Sequence, residues 1–473
     1  MKNIRYIPKI NSFILLVTIL LFLQSQNLLS QSLLKNLEAD FQKSKLLQKQ
    51  STDSVNNTKN YLIPAVEIIG LNLTVLFYND YLTKEGWSNI SIESAKNNLK
   101  YGFTWDNDGF AMNQFYHPYH GASYFNSARS NGLSFWESAP YTLGGSLMWE
   151  YFMEIERPSY NDLINTTVSG ITLGEITYRV SNLIIDESTT GLNRTVRELT
   201  AFLINPMHGF NRLIRGRIWK KGSKPIKNVH NINLSLGSNS VFINRNLQNN
   251  YFYLLLKFDM TYGKKFNIQK HKNPFDYFRV HSEVSFTEGN NIIGISASGV
   301  LWDDKLSVFE NDKSIIGFYK EFDLLFNSIY KFSASSFTAE ITNLTKFSNT
   351  SNIRNSIGLS LVLIGSSNSE YSSTIEKDYN LGPGLGFRLY SDFRLAESWL
   401  MYFKYKQFLI HVLNGIEGEE FIGLFNLGLV HEISENISIG ADAVFYERYG
   451  IYTNLPDIYS KNASLRTYFV YHF

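Results

Sequence analysis

The sequence gathers its chemically most capable side chains into one short run, DNDGFAMNQFYHPYHG. Asp106 and Asp108 stand near the start of this run, and His117 and His120 stand near its end. Carboxylate oxygens and imidazole nitrogens are ligands for divalent metals, so these four residues would hold such an ion if the fold brings them together. No other cofactor is expected from the sequence.

The same run also contains the groups of a general acid–base catalyst. A histidine paired with an aspartate acts as a general base, and Asn113 or Arg129 would stabilise a developing oxyanion. A structural role is nevertheless favoured, because Asp-x-Asp-Gly is typical of a turn and a histidine beside proline is typical of a helix start. Neither a nucleophile nor a metal-ligand spacing stands out.

A second acidic group lies further along the chain. Glu150 and Glu154 are four residues apart and therefore share one face of a helix. A carboxylate-bridged metal pair would require Glu-x-x-His sequences on facing helices, and this region has none. Interhelical hydrogen bonds are the favoured role, with Glu150 kept as a secondary catalytic candidate. The ligand or packing candidates are Asn113, Glu137, Asp162, Asn165 and Glu175.

Helices must position these residues, because the region's apolar periodicity and its capping and breaking residues are helical. The segment 61–81 is mostly apolar, and its polar interruptions at Glu67 and Asn72 predict a helix buried in protein. The next helices are marked by Pro118, by Ser138 as a cap and by Ser159 with capping-box spacing. A bundle of about five helices is predicted over 61–81, 119–130, 141–154, 163–185 and 192–204, the last ending before Pro206.

A stripe of small residues marks the fourth of these helices. Thr166, Gly170 and Gly174 recur at intervals of four and lie on one helix face. Small residues let a second helix approach closely. The stripe predicts a close helix–helix contact that tolerates serine at either glycine but excludes leucine.

A series of short motifs in this region resembles an uncharacterised bacterial envelope family, one of the domain-of-unknown-function families. The motifs are DxD with a following Asn, HPxHG, YFNxAR, FWES, GSxxWEY, DLxNTxxxGxxxGE and NPxxGFxRL. The resemblance covers about residues 60–217. It implies a signal-bearing envelope protein and assigns no catalytic role to any residue.

Beyond a basic connector at 218–228, the apolar period changes from helical to two, as in β-strands. Leu254, Leu256 and Phe258, for example, alternate with Lys257 and Asp259. About twelve strands are predicted, an even number as in single-chain bacterial barrels, with ten strands as the alternative. A soluble β-sandwich is a further alternative. The connection 263–276 is long where a barrel should have a short turn.

The predicted inward faces of the strands carry both charge signs in similar number. A selective pore would favour one sign, so this mixture predicts a lumen crossed by ion pairs or filled by other parts of the chain. These inward residues are Arg279, Glu283, Glu321, Asp323, Arg388, Lys404, Lys406, Glu432, Asp442 and Arg466.

The two ends of the chain predict its destination. Lys2, Arg5 and Lys9 precede the apolar run 13–23, which is typical of a secretory signal peptide cut near Ser30. The last strand ends on Phe473 and resembles the C-terminal strand of outer-membrane barrels, which the barrel-assembly machinery reads. The chain has no cysteine, which excludes a lipoprotein anchor, disulfides and thiolate metal sites.

The sequence therefore predicts an α+β protein of a Gram-negative-type outer membrane, with membrane lipids and the assembly machinery as partners and no nucleic acid. The predicted boundaries are signal peptide 1–30, polar lead 31–60, helical domain 61–217, basic linker 218–228 and β-barrel 229–473. One functional hypothesis is a helical domain that docks to or plugs the barrel in assembly, anchoring or gated transport. The alternatives are a hydrolase or transferase acting on lipid or lipopolysaccharide, and an open channel. The basic residues from Arg212 to Lys227 predict either a solvated linker or a contact with lipid phosphates.

Overall fold

The computed structural model describes residues 59–222, 229–243, 250–286, 291–306, 313–326, 331–371 and 377–473. The predicted signal peptide and nearly all of the polar lead lie outside these residues, as do Lys224 and Lys227. Within the described residues, seven α-helices precede twelve β-strands, which confirms the α+β class.

The helices occupy the first half of the chain. They are α1 (Leu62–Phe77), α2 (Ile92–Tyr101), α3 (His117–Ser130), α4 (Phe135–Phe152), α5 (Tyr160–Ile184), α6 (Gly191–Ile204) and α7 (Pro206–Ile214). Two π-helical turns accompany them: Tyr78–Thr83 continues α1, and Met112–Tyr116 leads into α3.

The predicted start of one helix is wrong because its capping residue is misassigned. Helix α4 begins at Phe135, not after Ser138, because Ser134 and Glu137 exchange capping bonds: Ser134 N donates to Glu137 Oε2 at 2.8 Å, and Glu137 N donates to Ser134 Oγ at 3.4 Å. Pro140 lies inside this helix. Helix α6 ends before Pro206 as predicted, but Pro206 also begins a further helix, α7, whose cap Asn205 accepts from His208 N at 3.0 Å.

Helix α1 also differs from its prediction, because many of its apolar side chains are exposed, although Ile68 and Leu76 are buried. Leu62, Val66 and Phe77 are exposed. Asn72 is fully buried and donates to Gly145 O at 3.3 Å, while Glu67 accepts from Asn211 Nδ2 at 3.0 Å. The polar interruptions thus mark the packed face of this helix. By length and composition alone, the described residues include one helix that is long and apolar enough to cross a membrane, Leu62–Thr83.

The second half of the chain is a closed antiparallel barrel. Each strand pairs with its neighbours in sequence and β1 pairs with β12, so twelve strands are confirmed and ten are excluded. The strands are β1 (Val229–Ile243), β2 (Asn250–Tyr262), β3 (Phe278–Phe286), β4 (Ile292–Lys305), β5 (Lys313–Phe326), β6 (Lys331–Lys346), β7 (Asn352–Asn368), β8 (Tyr379–Leu395), β9 (Trp399–His411), β10 (Gly418–Ser434), β11 (Ile437–Tyr452) and β12 (Ile458–His472).

The barrel has an apolar exterior, as lipid requires. Along β12, Leu465, Phe469 and Tyr471 are exposed, whereas Arg466 and Val470 between them are buried. Because the barrel is closed, the backbone groups of each strand pair with neighbouring strands, as a hydrocarbon core requires. The outward apolar band faces the lipid. The protein is an outer-membrane β-barrel.

We call the mouth where β1 begins and β12 ends the terminal mouth, and the opposite one the distal mouth. The long connection 263–276, an exception to the expected short turns, lies at the terminal mouth and folds into it. Lys265 is buried and forms an ion pair with Glu340 of β6, and Phe275 N donates to Val300 O at 2.6 Å. The connection is long because it fills part of the lumen.

Ion pairs cross the lumen, as the mixed charges predicted. Arg388 of β8 contacts Glu321 Oε2 at 2.5 Å and Asp323 Oδ2 at 3.0 Å, both on β5. Arg466 of β12 contacts Glu283 of β3 at 2.8 Å. Lys406 and Asp442 join the same two networks, with Asp323 and Lys257 respectively. Arg279, Lys404 and Glu432 lie elsewhere: the first two stack on tyrosine rings, and the third pairs with Arg394.

An apolar layer lies on the distal side of these ion pairs. Its buried members come from β1, β2, β4, β5, β6, β7, β9 and β10, and the Phe332 and Phe408 rings approach to 4.8 Å between centroids. The layer consists of Val241, Tyr253, Ile292, Leu325, Phe332, Ala334, Val362, Phe408, Ile410 and Ile422.

Contacts divide the chain into two compact units. Of the described residues, the helical unit comprises 59–71, 123–141 and 174–222. The barrel unit comprises the barrel together with 72–122 and 142–173, so it includes the aspartate and histidine run.

Candidate functional site

Asp106 is the centre of the polar cluster in the barrel unit. Its carboxylate accepts from Asn161 Nδ2 at 2.7 Å, from Asn113 Nδ2 at 3.1 Å and from Asp108 N at 3.2 Å. A parallel bridge between Thr104 and the residue before α5 aligns this stretch with the start of that helix. The Asp-x-Asp-Gly sequence therefore forms the turn that its composition favours, and Asp108 itself is exposed.

Asp106 pairs with Asp162, the third residue of α5. Burial and the neighbouring Asp106 raise the pKa of Asp162 well above its usual range. Burial also opposes ionisation of Asp106, but hydrogen bonds from Asp162 and Asn161 and the charge of Lys377 lower its pKa to about 2. The pKa values of the two carboxyls are therefore shifted in opposite directions.

His117 lies beside this pair as a neutral imidazole. Its Nε2 atom is 3.5 Å from Asp162 Oδ1, and burial lowers its pKa to about 4 although the charge of Asp106 opposes the shift. His120 has a different neighbour: its ring meets that of Trp149 at 77°, with the centroids 5.2 Å apart. Burial, and then His117, lower the pKa of His120 to about 3. The two imidazoles thus have different principal contacts.

Glu150 and Glu154 form a second carboxyl pair. Burial raises the pKa of Glu150 to about 8, although the Ser159 N–H, which donates to its Oε2 at 2.7 Å, favours the ionised form. Burial and the charge of Glu150 raise the pKa of Glu154 well above its usual range. Ser159 caps α5 as predicted, because Asp162 N donates to its Oγ at 3.3 Å, but its own N–H is used by Glu150.

The remaining predicted residues have structural contacts. Arg129 Nε donates to Glu175 Oε2 at 2.7 Å inside the helical unit, and Arg179 Nε contacts the other oxygen of Glu175 at the same distance. Glu137 caps α4 and accepts from Lys59 Nζ at 2.9 Å. These residues form ion pairs and caps within the helical unit.

Asn113 connects the cluster to a docking segment, residues 106–114, which contacts the distal mouth of the barrel. The ring of Phe110 is 5.8 Å from that of Phe326 and 5.6 Å from that of Tyr379, centroid to centroid. Asn113 Nδ2 donates to Tyr379 Oη at 2.5 Å, and Ser333 Oγ donates to Gln114 Oε1 at 2.5 Å.

Two further bonds hold the start of the docking segment. The backbone oxygen of Asp106 accepts from Lys377 Nζ at 2.7 Å and from Asn414 Nδ2 at 3.1 Å. The helix side is braced by Asn165, whose Nδ2 donates to Asn113 O and, at 3.2 Å, to Gln114 Oε1. Sequence reasoning missed Gln114, Tyr379 and Lys377, since their contacts across the docking segment join residues 219, 266 and 271 positions apart and leave no local pattern.

The cluster does not resemble a metal centre. Among the residues the structure describes, no group of three or more His, Asp or Glu side chains is placed to hold a metal ion. The cluster is a buried hydrogen-bonded network, in which burial raises the pKa of Asp162 and Glu154 and lowers that of the two imidazoles.

Comparisons with known proteins found the following similarities. Residues 102–207 match the model of a family described as a domain of unknown function, DUF3943. No curated protein matches the sequence.

Solved structures with similarity include OmpT of Vibrio cholerae, at 9% identity, covering 52% of this chain and 97% of that one, with a TM-score of 0.22. The KdgM porin is 10% identical, with 50% and 99% coverage and a TM-score of 0.23. The toluene transporter TodX of Pseudomonas putida is 7% identical, with 52% and 89% coverage and a TM-score of 0.23. The protein thus joins a segment that matches this domain of unknown function to a twelve-stranded outer-membrane β-barrel.

Proposed function

We propose that this protein is a closed outer-membrane anchor, with the docking segment of its helical region acting as a plug in the distal mouth of the barrel. The observation that carries the proposal is the position of Phe110. Its side chain is 1% exposed, and it packs between Phe326 at the end of β5 and Tyr379 at the start of β8. Removing a fully buried phenylalanine side chain costs about 3–5 kcal/mol.

The polar contacts of the plug support a specific binding position at the distal mouth. Phe110 N donates to Asp378 Oδ1 at 3.2 Å, and Asp378 is itself bound by Lys331 Nζ at 2.5 Å. Hydrogen bonds that involve charged groups contribute more than neutral ones. The binding position of the plug therefore combines the apolar contact of Phe110 with the charged residues Asp378 and Lys331, which fix where the segment lies.

The filled lumen supports an anchor over an open pore. Buried ion pairs such as Arg388 on β8 with Glu321 on β5 connect strands that are not neighbours, and the apolar layer lies between them and the distal mouth. Opening a path would break ion pairs whose partners would then be buried and uncompensated. We infer that displacing the plug alone leaves the barrel closed.

Conductance measurements test this proposal. Purified protein in planar bilayers of phosphatidylethanolamine and phosphatidylglycerol should show no steady ion conductance. Phe110→Asp should displace the plug, because it places a carboxylate beside Asp378, and the variant should still not conduct. Conductance that appears only in Phe110→Asp would instead establish gated passage, the second candidate, which the plug contacts also favour. Steady conductance of the wild-type protein would overturn both.

Seating of the plug is tested separately by hydrogen exchange over 106–114. Phe110→Ala should raise exchange in that segment strongly. Phe152→Ala, at an exposed position of α4 in the same unit, is the matched control and should leave it unchanged. Equal exchange in both variants would contradict docking through Phe110.

The hydrolase or transferase hypothesis has less support from this geometry. Burial lowers the pKa of His117 and raises that of the facing Asp162, and the Asp106 carboxylate already accepts three hydrogen bonds. A double variant with His117→Gln and His120→Gln tests the hypothesis. Loss of the wild-type phenotype in a deletion strain, with the barrel still inserted, would restore it.

A further inference from the structure

Helix α6 has the reverse of the polarity expected for a helix on a water-soluble domain. Its buried residues are Arg194, Arg197, Thr200 and Ala201. Its exposed face carries Leu192, which is 73% exposed, with the further apolar side chains Leu199, Phe202 and Leu203. A helix facing water buries its apolar stripe and exposes its charges. The surroundings of α6 are therefore expected to be apolar.

Helix α7 repeats the pattern. It buries Asn211 and Arg212, and it exposes Phe210, Leu213 and Ile214, the last at 65%. Two adjacent helices of the helical unit thus have outward apolar faces. An apolar surface of this kind on a soluble protein marks an interaction site.

Arg194 and Arg212, two of the three buried arginines of these helices, form ion pairs within the unit, and the third, Arg197, donates to Asn193 Oδ1 and Ile184 O. Arg212 contacts Glu198 at 2.8 Å and Glu187 at 2.9 Å, and Arg194 contacts Glu198 at 2.8 Å. Pairing of this kind is what a charged group requires when water is not its solvent.

A basic and aromatic border follows α7. Trp219 is exposed, Lys220 and Lys221 next to it are exposed, and Arg215 and Arg217 precede it. Tryptophan is enriched at the membrane–water boundary, and lysine and arginine near that boundary interact with anionic lipid phosphates. A lipid surface offers both the apolar and the anionic partner that this face requires.

We propose that the outward faces of α6 and α7 lie in the boundary between headgroups and acyl chains of the bilayer that holds the barrel, with the Arg215–Lys221 border at the phosphates. The helical unit is then a second element that contacts the membrane, in addition to the strands. This assignment does not depend on the plug, because it uses residues of the helical unit alone.

The absence of cysteine makes a direct test straightforward. Single variants Leu199→Cys and Leu213→Cys of the full chain carry a nitroxide label in vesicles of phosphatidylethanolamine and phosphatidylglycerol. Lys96→Cys, at an exposed charged position of α2, is the control for a water-facing site. Accessibility is measured to oxygen, which concentrates in lipid, and to a water-soluble nickel chelate.

Labels at Leu199 and Leu213 should be reached readily by oxygen and poorly by nickel, giving an oxygen-to-nickel ratio several-fold above that at Lys96. A nickel accessibility equal to that of the control would place the face in water and overturn the proposal. Low accessibility to both reagents would show that a protein, such as a second copy, covers the face, which also overturns it. An unchanged heat-modifiable barrel band in each variant confirms that the protein is folded.

Discussion

At the scale of single residues, the cluster in the barrel unit is explained by how buried carboxyls share protons. Asp106 with Asp162 and Glu150 with Glu154 each place two carboxyls in one poorly hydrated site. Two such groups cannot both be ionised at low cost, so one keeps its proton. Local hydrogen bonds thus favour ionisation of one carboxyl of a pair over the other. The Asp106 carboxylate accepts three such bonds, which lowers its pKa.

This distribution predicts how stability depends on pH. The pKa of Glu150 is about 8 in the folded protein against 4.5 for the unbound group, so the native state holds a proton that the unfolded state releases. The contribution of Glu150 to stability is fully present below pH 4.5 and is lost as the pH rises towards 8. Glu150→Gln has no proton to lose and still offers an oxygen to Ser159 N, so its unfolding midpoint in urea should change less over that window.

The control for this prediction is Glu93→Gln, at an exposed position in the first turn of α2. Its midpoints should follow those of the wild type at every pH. A Glu150→Gln variant with an unaltered pH profile would show that this carboxyl is ionised throughout.

At the scale of elements, the small-residue stripe makes the close contact that its spacing predicted. A Cβ atom added to Gly170 would lie 2.6 Å from the carbonyl carbon of Gly121 on α3, and one added to Gly174 would lie 2.8 Å from the Phe125 ring. The prediction that serine is tolerated is wrong at Gly170, because the obstacle is backbone and not a movable side chain.

Gly170→Ala should therefore destabilise the protein by about 1–3 kcal/mol through overpacking of α3 against α5. Gly144→Ala on α4 is the matched control, since no atom lies within 4 Å of its added Cβ. That control should be neutral or stabilising by up to about 1 kcal/mol, because alanine is the better helix former. Denaturant midpoints measure both, and equal losses would mean that α3 shifts freely.

These elements also show what a sequence reveals about this fold. The alternation in β12 was readable because lipid on one side and lumen on the other impose a period of two. The inward polarity of α1 was misread, because a helix in lipid-like surroundings and one in a protein core have similar composition. The contacts of Asp106 with Asn161 and Lys377 were not predictable, since tertiary contacts between distant residues follow no local period.

At the scale of the whole molecule, several separate groups of residues lie within the barrel or at its mouths. The docking segment contacts the distal mouth, the apolar layer and the ion pairs lie in the lumen, and the connection 263–276 enters the terminal mouth. The proposed anchoring role depends on these contacts, because they join the strands to the contents of the lumen. The same reasoning makes the lumen ion pairs the most sensitive site in the barrel.

Arg388→Leu should be strongly destabilising, because it leaves Glu321 and Asp323 buried with less compensation. Removing one partner of a buried ion pair costs about 3–5 kcal/mol. The matched control is Arg394→Gln. Arg394 and Glu432 form an ion pair at 2.7 Å, but their side chains are 37% and 38% exposed. An exposed pair contributes about 0–1 kcal/mol, so this variant should behave like wild type.

The measurement is the temperature at which the fast-running folded band on a gel converts to the unfolded one. A clear decrease is expected for Arg388→Leu alone. Adding Glu321→Gln should recover part of the loss, because it removes a buried charge that Arg388 otherwise neutralises. If both arginine variants convert at the wild-type temperature, the lumen is hydrated and the barrel is not closed by its ion pairs.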